Sequence, residues 1–451
     1  MKKSAILLIF LLLAVPVSAC MLIRSDSWRI APDEQHYALI HYKEGSERML
    51  IALDSTAPPG EAAWIFPVPA QPSSVQVDIA KGFPLFEGRN VMKDARGSMT
   101  GTAVIGLATQ VYIIPIAIIF IRGQFGALSK QFSAVGSVVG DDLVTHQYVE
   151  KEGVTAELVT AKDASVLTAA LAEHGVILPT QANDILQEYV DKEYSFVIAT
   201  VKNSGEERKR GRIISLYLTF PTEKIYYPLR VTAGLASAPV VNNVYVVGHV
   251  SPSVAALGSA ARVEYYNSNN GGRLTIRSPA TLERLFEGLT MTPATFRPYY
   301  GPSYQEEQTG FSVTTDYTAI RIKAEPSKVT QDLWITSRTP LKVTFARAYN
   351  DYPFVVGLLI ILLASILASM AAASLVFHDN VPRLRWFALL GVANLATLMG
   401  FVIAAILFNI HTRFLAVPLA ETKYVKFIFT FSGVFVALMI VLGWGLPLLL
   451  T

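Results

Sequence analysis

One stretch limits this chain more than any other. Residues 354–377, FVVGLLIILLASILASMAAASLVF, run without a single charge. A helix of about 20 apolar residues is what a bilayer core demands. Residues 386–408 and 427–450 repeat the pattern, and Trp386, Tyr424 and Trp444 lie near the ends of these runs, as interfacial aromatics do. The expectation is a C-terminal bundle of three transmembrane α-helices, with the lipid bilayer as partner. A proton relay or ion pathway normally needs a charge inside a span, and none is present. Asn394, the conspicuous polar side chain, suits an interhelical hydrogen bond, and the small residues of ASILASMAAAS (364–374) suit close helix packing. The chain is 52% hydrophobic and only 16% charged, well below the quarter usual for soluble domains.

The N-terminus reads as a targeting segment. Lys2 and Lys3 precede the apolar AILLIFLLLAVPV, and small residues stand before Cys20. Residues 1–19 are the expected signal peptide. Val17-Ser18-Ala19-Cys20 also fits a lipobox, which makes Cys20 a lipidation site. Ordinary cleavage leaves it a free thiol. One acyl chain adds little beside real spans, so cleavage alone is the simpler expectation. Cys20 is the single cysteine, so no intrachain disulfide or cysteine-based zinc site can form.

Between these ends the period changes to that of strands. HYALIHY, ERMLIAL and AAWIFPVP, separated by KEGS and DSTAPPG, predict a three-strand meander over 36–66. Trp64 closes the last strand. Pro67 and Pro69 lack N–H donors and are expected to end the ladder along the domain edge. A docking ridge is the alternative for Trp64, Pro67 and Pro69, but buried aromatics usually serve the core. Residues 163–191 switch to helical spacing. Asp163 is a candidate N-cap, Val166, Leu167, Ala170 and Leu171 form one stripe, and Ile185, Leu186, Tyr189 and Val190 another. Gly175 ends the first helix. Strands are expected at 194–201, 212–220, 225–233, 242–250, 309–324 and 332–347, with a hairpin around SNNGG and a short helix at 281–289. A helix pair among strand runs gives an α+β domain.

No catalytic constellation rises above this background. GSMTGTAVIG lacks the Lys and spacing of a phosphate loop, no H-E-x-x-H occurs and no G-x-S-x-G occurs. His36 and His41, five apart in one strand, face opposite sides. His174 is explained by a helix C-terminus. EERKRGR (206–212) reads as a solvated turn. The net charge of +3 is too slight for a nucleic-acid partner. No catalytic, cofactor or metal residues are assigned.

ERMLIALDSTAPPGEAAWIFPVPAQP, DASVLTAALAEHGVILP, ILQEYVDKEYSFVIATV and IYYPLRVT resemble, in order, the domain of unknown function 2330 over roughly residues 20–290. The resemblance implies an extracytoplasmic, membrane-attached domain and supplies no activity. The family's extra cysteines near the mature N-terminus are missing here. Residues 291–352 are then a β-rich membrane-proximal region.

The expected function is a membrane-anchored extracytoplasmic binding or assembly module, not an enzyme, in a multi-pass cell-membrane protein. Its partner is another membrane or envelope protein. A subunit of a membrane transporter or permease complex is the alternative. Residues 103–121, AVIGLATQVYIIPIAIIFI, have the length and hydropathy of a fourth span. A single crossing would part the meander from the later strands, and the two could then share no core. Loop charge leans toward crossing by about one residue, a weak margin. The expectation is an apolar element that returns to the side it left.

Overall fold

The computed structural model describes residues 35–53, 63–108, 144–173, 178, 181–201, 214–234, 240–267, 276–296, 308–376 and 421–442. Residues 1–19, Cys20, 109–121, His174, Gly175, 206–212 and 386–408 lie outside them. The chain divides into two compact units. One joins the residues up to Arg89 to Leu128–Pro340, and the other joins Asn90–Ala127 to Leu341–Thr451.

The first unit is a β-rich body, so the architecture is mixed α+β. Its strands begin with β1 Gln35–Lys43, β2 Ser46–Leu53, β3 Ala63–Val68, β4 Gln76–Lys81, β5 Leu85–Phe86 and β6 Arg89–Asn90. Next come β7 Val144–Lys151, β8 Val154–Thr160, β9 Ser195–Val201, β10 Ile214–Pro221, β11 Ile225–Tyr227, β12 Val240–Val247 and β13 Ser251–Pro252. The last are β14 Ala261–Asn267, β15 Ile276–Pro279, β16 Met291–Phe296, β17 Gln308–Val313, β18 Tyr317–Ala324 and β19 Leu333–Thr336.

An eight-stranded sheet, ordered β4-β10-β2-β1-β12-β18-β14-β6, forms the centre. Its middle strands are apolar on both faces, and the two-residue period sorts them. Ala38, Ile40, Met49 and Ile51 enter one core, while Leu39, Leu50 and Ala52 enter another. The first core lies against the sheet β3-β9-β8-β7, from which Trp64, Phe66, Ala156 and Val197 point inward. The far face of that second sheet carries Ile65, Val159, Phe196 and Ile198, covered by Leu167, Leu171, Leu186 and Tyr189 of a helix pair. The other face of the central sheet meets β16-β17-β15-β5 and the 3-10 turn Ala280–Phe286. A short fourth sheet, β11-β19-β13, adds Ile225, Tyr226, Tyr227, Leu333 and Ile335 to the first core, so the body is four sheets and a helical layer.

Several expectations change here. The β1–β2 hairpin forms on Glu44 and Gly45, both at positive φ as a type I′ turn requires. β3, however, pairs with β9 in a different sheet and does not continue a meander. Pro67 does not end the ladder. It sits opposite Phe196 within the edge strand β3, where a missing donor is tolerated. The expected strand 225–233 stops at Tyr227, because Pro228 precedes a helical turn, Leu229–Gly234. The expected strand 332–347 is β19 followed, after Pro340, by helix Leu341–Asp351, whose Val343, Ala346 and Tyr349 fall on one buried face. Residues 308–336 are strands of the body, with β18 paired to β12 and β14.

The second unit is helical. With α1 Val91–Ala108 counted first, the body's pair is α2 Ala164–Glu173 and α3 Gln181–Val190, its helical turn is α4 Leu229–Gly234, and then come α5 Leu341–Asp351, α6 Pro353–Val376 and α7 Glu421–Ile440. Asp163 caps α2 as expected, accepting from Ser165 N at 2.8 Å and Val166 N at 3.2 Å. Residues 103–108 of the apolar stretch prolong α1, which starts twelve residues upstream, at Val91. In α6, Ala364, Ala368 and Ala372 pack with Phe431, Phe435 and Met439 of α7 and with Ala103. A Cβ on Gly357 would lie 2.8 Å from Thr102 Oγ1, and one on Gly106 would lie 2.6 Å from Met439 Cε. These glycines let the helices approach. Leu358, Leu359, Leu363 and Leu367 of α6 are instead exposed. Among the described residues, α6 is the one helix long and apolar enough to cross a membrane.

Candidate functional site

The prolines that follow Trp64 lead to a groove. Pro69 forms one side of a cleft of about 770 Å³, shared with Gly45, Pro221, Thr222, Glu223, Lys224 and Trp334. Local chemistry fixes each wall. Ala70 N donates to Val68 O at 2.8 Å, bending the chain after β3, and Ser195 Oγ donates to Ala70 O at 2.7 Å. Thr222 N donates to Gly45 O at 2.9 Å, joining the turn after β10 to the β1–β2 turn. Tyr42 OH lies 3.0 Å from Thr222 O and 3.1 Å from Glu223 O, so the same turn is held from below. Trp334, half-buried, stands on β19 directly opposite Tyr226 of β11, with ring centroids 4.9 Å apart.

Behind Trp334 lies a buried polar cluster organised around Tyr226. Its backbone N–H donates to Glu47 Oε2 at 2.8 Å, and its hydroxyl donates to Asp332 Oδ2 at 3.2 Å. Asp332 Oδ1 also accepts from Tyr189 OH at 2.7 Å and Arg230 N at 3.0 Å. The Arg230 guanidinium grips the Glu188 carboxylate, with Nε to Oε2 at 2.9 Å, and reaches Thr330 O at 2.9 Å. One aspartate therefore ties α3, α4 and β11 to the start of β19. Burial outweighs these donors and holds the Asp332 carboxyl above the usual range.

Glu47 is the sharper anomaly. It is fully buried, and burial holds its carboxyl well above the ordinary value against the opposing Tyr226 N–H. Among the described residues, its Oε1 has no hydrogen-bond partner. Nearby, Tyr227 OH donates to Asn242 Oδ1 at 2.8 Å and lies 3.5 Å from His36 Nδ1. Burial pushes His36 down to about 3, so it is a neutral imidazole. His41 faces the other way, its Nδ1 2.7 Å from Leu285 O. No group of three or more His, Cys, Asp or Glu among the described residues is placed to hold a metal.

Of the three residues singled out from sequence, only Pro69 lines the groove. Trp64 is 3% exposed within the core, and Pro67 is buried. Sequence reasoning missed Glu47, Tyr226, Asp332 and Trp334. One signal was available: Glu47 shares a strand face with Met49 and Ile51, a charged side chain at a core-facing position.

The fold and the cluster define a β-rich α+β domain with an internally braced surface groove. Residues 122–336 match DUF2330, an uncharacterized protein family conserved in bacteria. That range takes in Tyr189, Tyr226, Arg230, Asp332 and Trp334 and leaves out Glu47 and Pro69. It begins and ends later than the 20–290 anticipated. No curated protein matches. Two solved structures align with 68% of this chain. One is a mutated baculovirus P35 after caspase cleavage, at 10% identity over 100% of that chain. The other is from the caspase-8/P35 complex, at 11% identity over 97% of that chain. Both give a TM-score of 0.24, too low to support any statement about this chain.

Proposed function

We propose that this protein is a membrane-anchored extracytoplasmic binding or assembly module, with the Trp334 groove as its docking surface and no reaction of its own. The observation that carries the reading is α6. Its small residues face inward and its leucines outward, the inverse of a soluble helix and the arrangement expected where lipid replaces water. Residues 386–408 and 427–450 complete the anchor as two further spans. Residues 103–121 dip and return, because strands on both sides of them, β1–β4 before and β8–β12 after, contribute to one body core.

Carbonate-washed membranes should retain the chain. Cysteines placed at Glu44 and at Ser204, with Cys20 replaced, should both label with an impermeant maleimide in spheroplasts. Release by carbonate would remove the anchor. Labelling at Glu44 but protection at Ser204 would show a single crossing and overturn the topology.

A further inference from the structure

Near its β14–β6 end, the central sheet bears an arrangement of charge that folding alone does not favour. On β18, Thr318, Ile320, Ile322 and Ala324 turn inward, so Tyr317, Ala319, Arg321 and Lys323 share the opposite face. Arg321 lies directly opposite Arg262 on β14, and opposite Asn243 on β12. Like charges directly across a pair of strands destabilise it. Glu264 answers one of them, 2.5 Å from Arg262, while also accepting from Tyr266 OH at 2.8 Å. Arg321 and Lys323 make no ion pair among the described residues and are exposed. Along the same face the core is closed by aromatic rings. Tyr245 stacks on Phe86 at 3.9 Å and lies parallel to Tyr37 at 6.5 Å.

We propose that this face binds an acidic polysaccharide, its carboxylates taken by Arg321, Arg262 and Lys323. An arginine fork matches a carboxylate in a bidentate way, which gives the Arg321–Arg262 juxtaposition a purpose. The spacing suits recurring charge on a stiff polymer. Arg321 and Lys323 are two residues apart along one strand, about 7 Å, and Arg262 is a cross-strand neighbour about 5 Å away. Nucleic acid fits less well. Three cations neutralise few phosphates, and Tyr245 is already stacked on Phe86, so that face of its ring is closed to a base. A flexible acidic peptide would lose more side-chain freedom on a flat sheet. The inference rests on the extracytoplasmic reading only for where such a polymer would be met.

The test uses the full-length protein in detergent, so it does not depend on topology. Polygalacturonate oligomers should bind saturably, more weakly at 200 mM than at 50 mM salt, and dextran should not bind. R321S/K323S should lower the affinity at least tenfold with an unchanged melting temperature, since it removes a repulsion. E264Q should raise affinity a few fold by freeing Arg262. Equal binding by the double variant, equal binding of dextran, or tighter binding of single-stranded DNA or polyglutamate would each overturn the proposal.

Discussion

The body and the helical unit solve opposite packing problems with the same kinds of residue. In the body, large side chains go inward: Trp64, Phe196, Tyr189 and Phe286 are buried, and Asp332 gathers the hydroxyls of Tyr189 and Tyr226 in a hydrogen-bonded cluster. In the helical unit α6 buries glycine, alanine and serine and turns its leucines out. Water drives the first arrangement. In the bilayer proposed for it, the second would gain little from hiding leucine and would instead need close backbone approach, which small residues permit. The same side chain therefore means different things in the two units. An exposed leucine in the body would be a patch to explain, whereas on α6 it is the surface that the proposed bilayer would require.

This contrast can be broken by substitution. Trp64→Ala empties a core position and should destabilise the body by about 3–5 kcal/mol in urea unfolding. A variant that keeps its stability but loses a partner would return Trp64 to a docking role. Asp332→Ala strands the Tyr189 and Tyr226 hydroxyls and should cost about 2–4 kcal/mol. Asp332→Asn, which keeps an acceptor, should recover much of that. Gly357→Leu should cost the helical unit about 1–3 kcal/mol through overpacking against Thr102 and leave body unfolding unmoved. A shift in body unfolding of the same size would deny the units their separate cores.

Glu47→Gln probes the buried acid that, among the described residues, has an unanswered oxygen. Its carboxyl is raised in the folded state, so the stability linked to its proton is complete below about pH 4, the unfolded value, and is lost as pH climbs toward the folded one. The glutamine variant should follow wild type near pH 4 and grow progressively more stable than it toward neutral pH. Parallel stability profiles would mean that Glu47 is not protonated in the native body. Smallest of all, Trp334→Ala should change stability by less than about 1 kcal/mol, since the ring is half-exposed, yet abolish whatever binding the groove performs. A large loss of stability would make Trp334 another core residue.

Much of the fold was legible because periodicity survives tertiary context. The α2–α3 pair, the Asp163 cap and the strand content of the body follow from spacing alone. The misreadings have a common cause. IYYPLRVTA and LWITSRTPLKVTF are β-branched and aromatic, so propensity favours strands, but a proline in each marks where the chain turns into a helix. The pairing of β3 with β9 was not legible, since nothing local to AAWIFPVP says that Ser195–Val201 is its neighbour. The groove was half legible. Pro69 announced an edge, while Trp334 and Asp332 come from a segment more than 260 residues later and meet it only through the sheets.

The parallel pairing of β1 with β12 also has a history in time. Gln35 sits opposite Val241, so the centre of the main sheet joins segments about 200 residues apart. During N-to-C synthesis, β1 and β2 emerge first, as a hairpin apolar on both faces with both edges open. β10 closes the β2 edge, and nothing native closes the β1 edge until β12 arrives. Long-range closure of this kind is slow, and the waiting hairpin is a template for wrong partners. The body should therefore depend on a holding chaperone until its chain is nearly complete. A truncation ending before Val240 should aggregate, not stop at a soluble intermediate.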